Sequence, residues 1–482
     1  MADTRRIVLS NIFHTLALLI GLALLPNGAS AAALDGASLS LAWGVPFAGV
    51  LLSIALLPLL MPTLWHKHFG KITAGWALAF LLPFAAVFGG DAAWANLVHA
   101  LLEEYLPFVI LLTALFVVAG GIYVRGSLQG TPLLNTGILA TGAVLASVMG
   151  TTGASMLLIR PLIRANAQRS RMAHIVVFFI FVVSNVGGSL TPLGDPPLFL
   201  GFLQGVPFSW TLLHIWPETF FILGVLLALF FLLDTWMLRH EGAALRPHPQ
   251  PDSTQRERLG FDGKFNFVLL GCIVGLVLMS GIWRSDVVFH VAGTEVELPG
   301  LVRDLGLIAV ALISLYITPR SVQVANQFSW HPMVEVAKLF AGIFLTIIPV
   351  IAMLKAGTEG PFASVVRAVT QPDGSPDPAM YFWATGVLSS FLDNAPTYLV
   401  FFNTAGGDVA QLTTSLATTL AAISAGAVFM GANTYIGNAP NMMVKAIAED
   451  RGVRMPSFFG YMLWSGGILV PLFVLMSLIF FD

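Results

Sequence analysis

The chain has 482 residues, of which 57% are hydrophobic and 10% charged, and its formal net charge is −2. Soluble globular domains carry roughly a quarter charged residues, so too few charges are present to cover a soluble surface. The near-neutral balance offers nucleic acid nothing to bind, and apolar runs of bilayer length recur from end to end, which predicts an all-α polytopic membrane protein in the lipid bilayer.

Arg5 and Arg6 precede an apolar run from Ile7 to Leu25, followed by small residues up to Ala31. Residues 1–31 read either as a secretory signal peptide or as an uncleaved first transmembrane helix. Both place residues 30–41 outside. Spans are then expected near 42–62, 72–89, 105–121, 211–237, 264–283, 301–318, 338–355 and 457–481. Residues 32–238 form one half and 265–482 the other. The polar stretch 239–264 lacks apolar periodicity and reads as a linker. The single cysteine, Cys272, lies in an apolar run and reads as a buried thiol.

Regions 131–208 and 380–450 differ from the rest. Their apolar runs are short and broken by Gly, Pro, Asn, Thr and Asp. The first contains "MGTTGASMLL" from Met149 and "SNVGGSLTPLGDPPLFL" from Ser184. The second contains "LDNAPTYLVF" from Leu392 and "GANTYIGNAPNMMV" from Gly431. A shift of 243 residues places Thr151 on Asn394 and Gly194-Asp195-Pro196-Pro197 on Gly437-Asn438-Ala439-Pro440; Asn185 and Asn433 align only with a local gap.

With a cytoplasmic linker, and one re-entrant hairpin plus one broken span in each region, nineteen of the 23 Lys and Arg fall on the cytoplasmic side. Arg284, Arg303, Lys355 and Arg367 are the four outside. The two hairpins then enter from opposite faces. The expected fold is an inverted-repeat transporter with two re-entrant hairpins and two broken helices, multi-pass in the inner (plasma) membrane.

Irregular backbone within a bilayer persists only where protein or water covers it. A helix stopped in mid-membrane exposes amides at one end and carbonyls at the other, which attract anions and cations respectively. Asp195 and Asp393 are the acids placed deepest by this reading, and such residues mark ion or proton paths. The alternative for each is a helix cap. Burial favours a carboxylate's neutral form and a bound cation its charged form, so such a site can exchange protons for sodium.

Elsewhere, His99 and Glu103 share a helical spacing but read as interfacial, as does Glu218. Asp234 beside Trp236 and Arg239 reads as an anchor, and Arg160 and Arg164 read as snorkelling from a hairpin end. Lys445 reads as a helix-end residue, with reach towards an anionic substrate as the alternative. No P-loop, Cys/His cluster or nucleophile elbow occurs, so neither an enzyme nor an ATP-driven pump is expected, and no cofactor.

The "SN-x-GG…GDPP" and "LDN-x-P" motifs, with "G-x-N…IGN-x-P", resemble the ion transporter superfamily of NhaD-type sodium/proton antiporters, arsenite permeases and citrate or dicarboxylate transporters. The resemblance implies a transport unit of hairpins and broken helices moving against an outer scaffold, which often forms a homodimer. It implies ion and substrate binding by Thr151, Thr152, Asn185, Asp195, Asp393, Asn394, Thr397, Asn433 and Asn438, with Asp195 and Asp393 as sodium ligands. Dicarboxylate carriers typically place Ser-Asn-Thr at both hairpin tips. Here Gly-Thr-Thr and Leu-Asp-Asn stand there, and the fixed carboxylate favours sodium/proton antiport over the alternative, cation-coupled transport of citrate or another di- or tricarboxylate.

Overall fold

The computed structural model describes residues 34–126, 128–241, 260–291 and 293–482. The N-terminal signal or anchor segment and most of the linker lie outside these residues. Among the described residues, nine helices are long and apolar enough to cross a membrane, and a tenth span arises if one bent pair is counted. The chain is therefore an all-α polytopic membrane protein.

The outer layer consists of α1 (Val45–Leu60), α2 (Pro62–Phe88), α3 (Gly90–Gly120), α9 (Phe265–Ile282), α10 (Leu298–Ile317) and the bent pair α11 (His331–Thr346) and α12 (Ile348–Lys355). Prolines start most of these helices, where their missing amide costs nothing. Two spans begin earlier than the sequence suggests. Lys67 and Lys71 lie inside α2, and His99, Glu103 and Glu104 lie inside α3. Glu103 and Glu104 sit in a π-helical turn, Ala100–Tyr105, just before Pro107. Cys272 is exposed on α9, not buried. Two ribbons close the ends of this layer: β1 (Tyr123–Arg125) with β2 (Gly260–Asp262), and β3 (Val288–Val291) with β4 (Thr294–Glu297). Because α9 joins β2 to β3, the ribbons mark opposite membrane faces.

The inner body holds both interrupted regions. α4 (Pro132–Met149) and α5 (Thr151–Ala165) form the first hairpin; α6 (Ala173–Val182), a 3-10 turn at Val186–Leu190, and α7 (Pro196–Leu203) form the first broken helix. α13 (Pro378–Phe391) and α14 (Asn394–Thr404) form the second hairpin, and α15 (Ala417–Met430) and α16 (Ala439–Asp450) the second broken helix. Span Ala173–Leu190 is 89% buried and so lies at the centre of the molecule. α8 (Trp216–His240) and α17 (Phe458–Phe480) complete this body. Both hairpins start alike: Thr131 caps the amide of Leu134 ahead of Pro132, and Asp377 caps that of Met380 ahead of Pro378.

The breaks repeat each other in detail. Ser147 Oγ donates to the Gly187 carbonyl, and Ser390 Oγ to the Met430 carbonyl. Thr191 donates to the Ser147 carbonyl, and Thr434 to that of Ser390. The amides of Leu193 and Ile436 each donate to those threonine hydroxyls at 3.2 Å. Each pair is related by the same shift of 243 residues. Glycine is required at both crossings: a Cβ on Gly194 would lie 2.1 Å from the Gly188 carbonyl oxygen, and one on Gly437 2.6 Å from that of Gly431.

Candidate functional site

Four helices start where these elements meet. α5 begins at Thr151 and α14 at Asn394, each at a hairpin tip, while α7 begins at Pro196 and α16 at Ala439, each just past a break. α14 packs against α7, and α16 against α5, so each hairpin meets the broken helix of the other half. Four helix N-termini, each carrying partial positive charge, therefore surround one point.

Asp195 occupies that point. It is the N-cap residue of α7, yet its carboxylate caps nothing in its own helix. It is 2% exposed. Thr151 Oγ1 donates to Asp195 Oδ1 at 2.8 Å and Asn438 Nδ2 at 3.1 Å, while Asn394 Nδ2 donates to Oδ2. The three donors come from the first hairpin, the second break and the second hairpin. Hydrogen bonds to a charged group contribute about 1.5–3 kcal/mol each, and these are the protein's compensation for desolvating the carboxylate. No Lys, Arg or His supplies a counter-charge among the described residues lining the cavity beside it.

That cavity measures about 100 Å³ and is lined by Gly150, Thr151, Thr152, Asp195, Asp393, Asn394 and Asn438, with apolar walls from α3 and α11. Asp393 is half-buried on it. Its side chain accepts from the Ala395 amide at 3.1 Å, so here the capping alternative is realised. Gly150, the equivalent tip position, instead turns with a φ of 81°, which glycine alone adopts freely.

The remaining sequence candidates occupy an outer ring. Thr152 lines the cavity. Asn185 accepts from Asn438 at 3.2 Å and donates to Asn441 Oδ1 at 2.8 Å. Thr397 is buried, but its hydroxyl donates to the Asp393 carbonyl of its own helix. Asn433 bonds to Ser390 at 2.9 Å and does not line the cavity. Asn185 and Asn433 therefore have different neighbours, which is why a single shift does not align them. The sequence gives no separate signal for Asn441, which the shift of 243 residues sets opposite Leu198. It is fully buried and donates to the carbonyls of Gly431 and Thr434, closing the second break.

Several side chains depart from their sequence reading. Asp234 is no surface anchor: it is fully buried, accepts from Asn135 and His174, and pairs with Arg169, which also meets Glu241. This network ties the β1–β2 end of the first hairpin to α6 and α8. Arg160 is 5% exposed and so does not snorkel. Arg164 donates to Tyr123 and to the Val124 carbonyl. Glu218 is buried within α8. Lys445 pairs with Glu449 at 2.8 Å and lies over the Tyr435 ring.

No group of three or more His, Cys, Asp or Glu is placed to hold a metal among the described residues. The cavity is lined instead by two carboxylates and the hydroxyl and amide side chains of Thr151, Thr152, Asn394 and Asn438, groups of the kind that suit hard cations.

Hairpin tips and helix breaks converging on a buried carboxylate in a multi-pass bundle define a membrane transporter. The chain belongs to the family described as "Putative citrate transport", whose profile matches residues 36–481. It is 28% identical over 339 residues to an uncharacterized transporter of Mycobacterium tuberculosis, covering 67% of this chain and 71% of that one. An uncharacterized transporter of Synechocystis is 22% identical over 345 residues, 66% of this chain and 71% of its own. A 46 kDa membrane protein of Mycobacterium leprae is 27% identical over 336 residues, with shares of 67% and 71%.

Proposed function

We propose that the protein is a secondary active transporter performing sodium/proton antiport by alternating access, with Asp195 as the shared ligand of the two ions. The observation that carries this reading is the Asp195 carboxylate, held by three neutral donors at the meeting of both halves. A proton or a sodium ion supplies the charge it lacks, and the two exclude each other. Asp393, Thr151, Thr152 and the side-chain oxygens of Asn394 and Asn438 complete the oxygen set. The transport unit is the inner body, an inverted repeat, and it moves against the outer layer where α5 packs on α3 and α14 on α12. A homodimer through the outer layer and placement in the inner (plasma) membrane belong to the same reading.

A second reading is cation-coupled transport of citrate or a related polycarboxylate. The family match favours it, as do the four helix N-termini, which suit a carboxylate. Asp195 then holds the coupling cation. Proton flux driven by sodium gradients in proteoliposomes, with and without citrate, separates the two. Loss of coupled flux in Asp195→Asn is expected, and normal coupled flux in that variant would refute the role given to Asp195.

A further inference from the structure

Arg160 is a buried cation that the proposed exchange at Asp195 does not use. It lies on α5, on the face that carries Thr152 and Met156, since residues four apart stack along a helix. Eight residues of α-helix place it about 12 Å along the axis from Thr152, towards the β1–β2 end. Thr152 lines the cavity. Met156, one turn on, packs with Phe116 and Met333 in an apolar plug also touched by Phe328, Trp330 and Met443. Arg160 lies beyond that plug.

Its hydrogen bonding is incomplete. Nη1 reaches the Met156 carbonyl and Nη2 reaches Gln327 Oε1, both at a long 3.4 Å, and Nε has no partner although it is buried. Arg164, Arg451 and Asp450 are the charged groups around it, so the surroundings are net positive. Gln327 belongs to the outer layer and, among the described residues, is the only non-glycine with positive φ, at 49°. Strained backbone of this kind persists where the surroundings hold it, often at ligand clamps. A guanidinium wanting an acceptor, opposite a neutral amide, fits the planar, two-oxygen geometry of a carboxylate.

We propose that Arg160 is a docking subsite for the carboxylate of a small polycarboxylate, outside the Asp195 cavity on its β1–β2 side. The two carboxylate oxygens accept from Nε–H and the adjacent Nη2–H, displacing Gln327, before the cargo passes Met156. The proposal rests on the carboxylate reading above.

Equilibrium binding of radiolabelled citrate to the purified full chain, in sodium, tests it. Arg160→Gln should weaken binding about tenfold or more, and Arg160→Lys should recover part of the loss. Gln327→Glu leaves Arg160 in place but supplies a resident carboxylate, and should weaken citrate binding similarly. Unchanged citrate affinity in both Arg160→Gln and Gln327→Glu would overturn the subsite while leaving the cavity assignment standing. Wild type that drives sodium-coupled proton flux but binds no citrate would overturn the subsite and the carboxylate cargo together, and would leave the exchange at Asp195 untouched.

Discussion

Asn394 donates its amide to the carboxylate of Asp195, a residue 199 positions away in the other half of the chain. The contact joins the tip of one hairpin to the break of the opposite half, so neither half makes the site alone.

Removing a donor should weaken ion binding without abolishing the fold. Thr151→Val removes the hydroxyl oxygen that the proposed site offers to sodium beside Asp195 and keeps the side-chain shape. A loss of roughly 1.5–3 kcal/mol in bound-state stabilisation corresponds to a tenfold or larger rise in the half-saturating sodium concentration. Sodium titration of proton flux in proteoliposomes measures it.

The two breaks should differ in their tolerance of alanine. Gly194→Ala drives a Cβ to within 2.1 Å of the Gly188 carbonyl oxygen, whereas Gly437→Ala reaches 2.6 Å from that of Gly431. Both contacts are with backbone, which has little room to yield. Each substitution should cost about 1–3 kcal/mol or more, with Gly194→Ala the worse. Thermal unfolding in detergent provides the comparison.

Asp234→Asn should be strongly destabilising although it lies far from the cavity in the chain's architecture. It leaves Arg169 buried without its main partner, and breaking a buried pair on one side costs about 3–5 kcal/mol. A lowered unfolding temperature should accompany faster proteolysis at the β1–β2 end. Gly188→Ala would be a poor control, because its own Cβ meets Thr151 and Gly194.

Much of the site was legible because a bilayer makes irregular sequence conspicuous. Glycines, prolines and an acid within apolar runs identified both breaks, and the shift of 243 residues paired Asp195 with Asn438, whose side chains now touch at 3.1 Å. Contacts between distant elements were not legible. Lys67, Lys71 and the His99–Glu104 stretch read as span boundaries because polarity marks ends, yet helix continues through them. Arg160 read as snorkelling because its helix alone shows a charged end; the cover comes from the segment around Gln327, 167 residues away. Asp234 was misplaced for the same reason, since its partners lie on three other segments.

The most direct test of the central claim is the half-saturating sodium concentration for proton flux in proteoliposomes, measured over a series of pH values in wild type and Asp195→Asn. If one carboxylate holds either ion, protons compete with sodium. The half-saturating concentration in wild type should then rise towards tenfold for each unit of acidification on the acidic limb, and Asp195→Asn should show no coupled flux. A half-saturating concentration independent of pH, or coupled flux preserved in Asp195→Asn, would contradict the account.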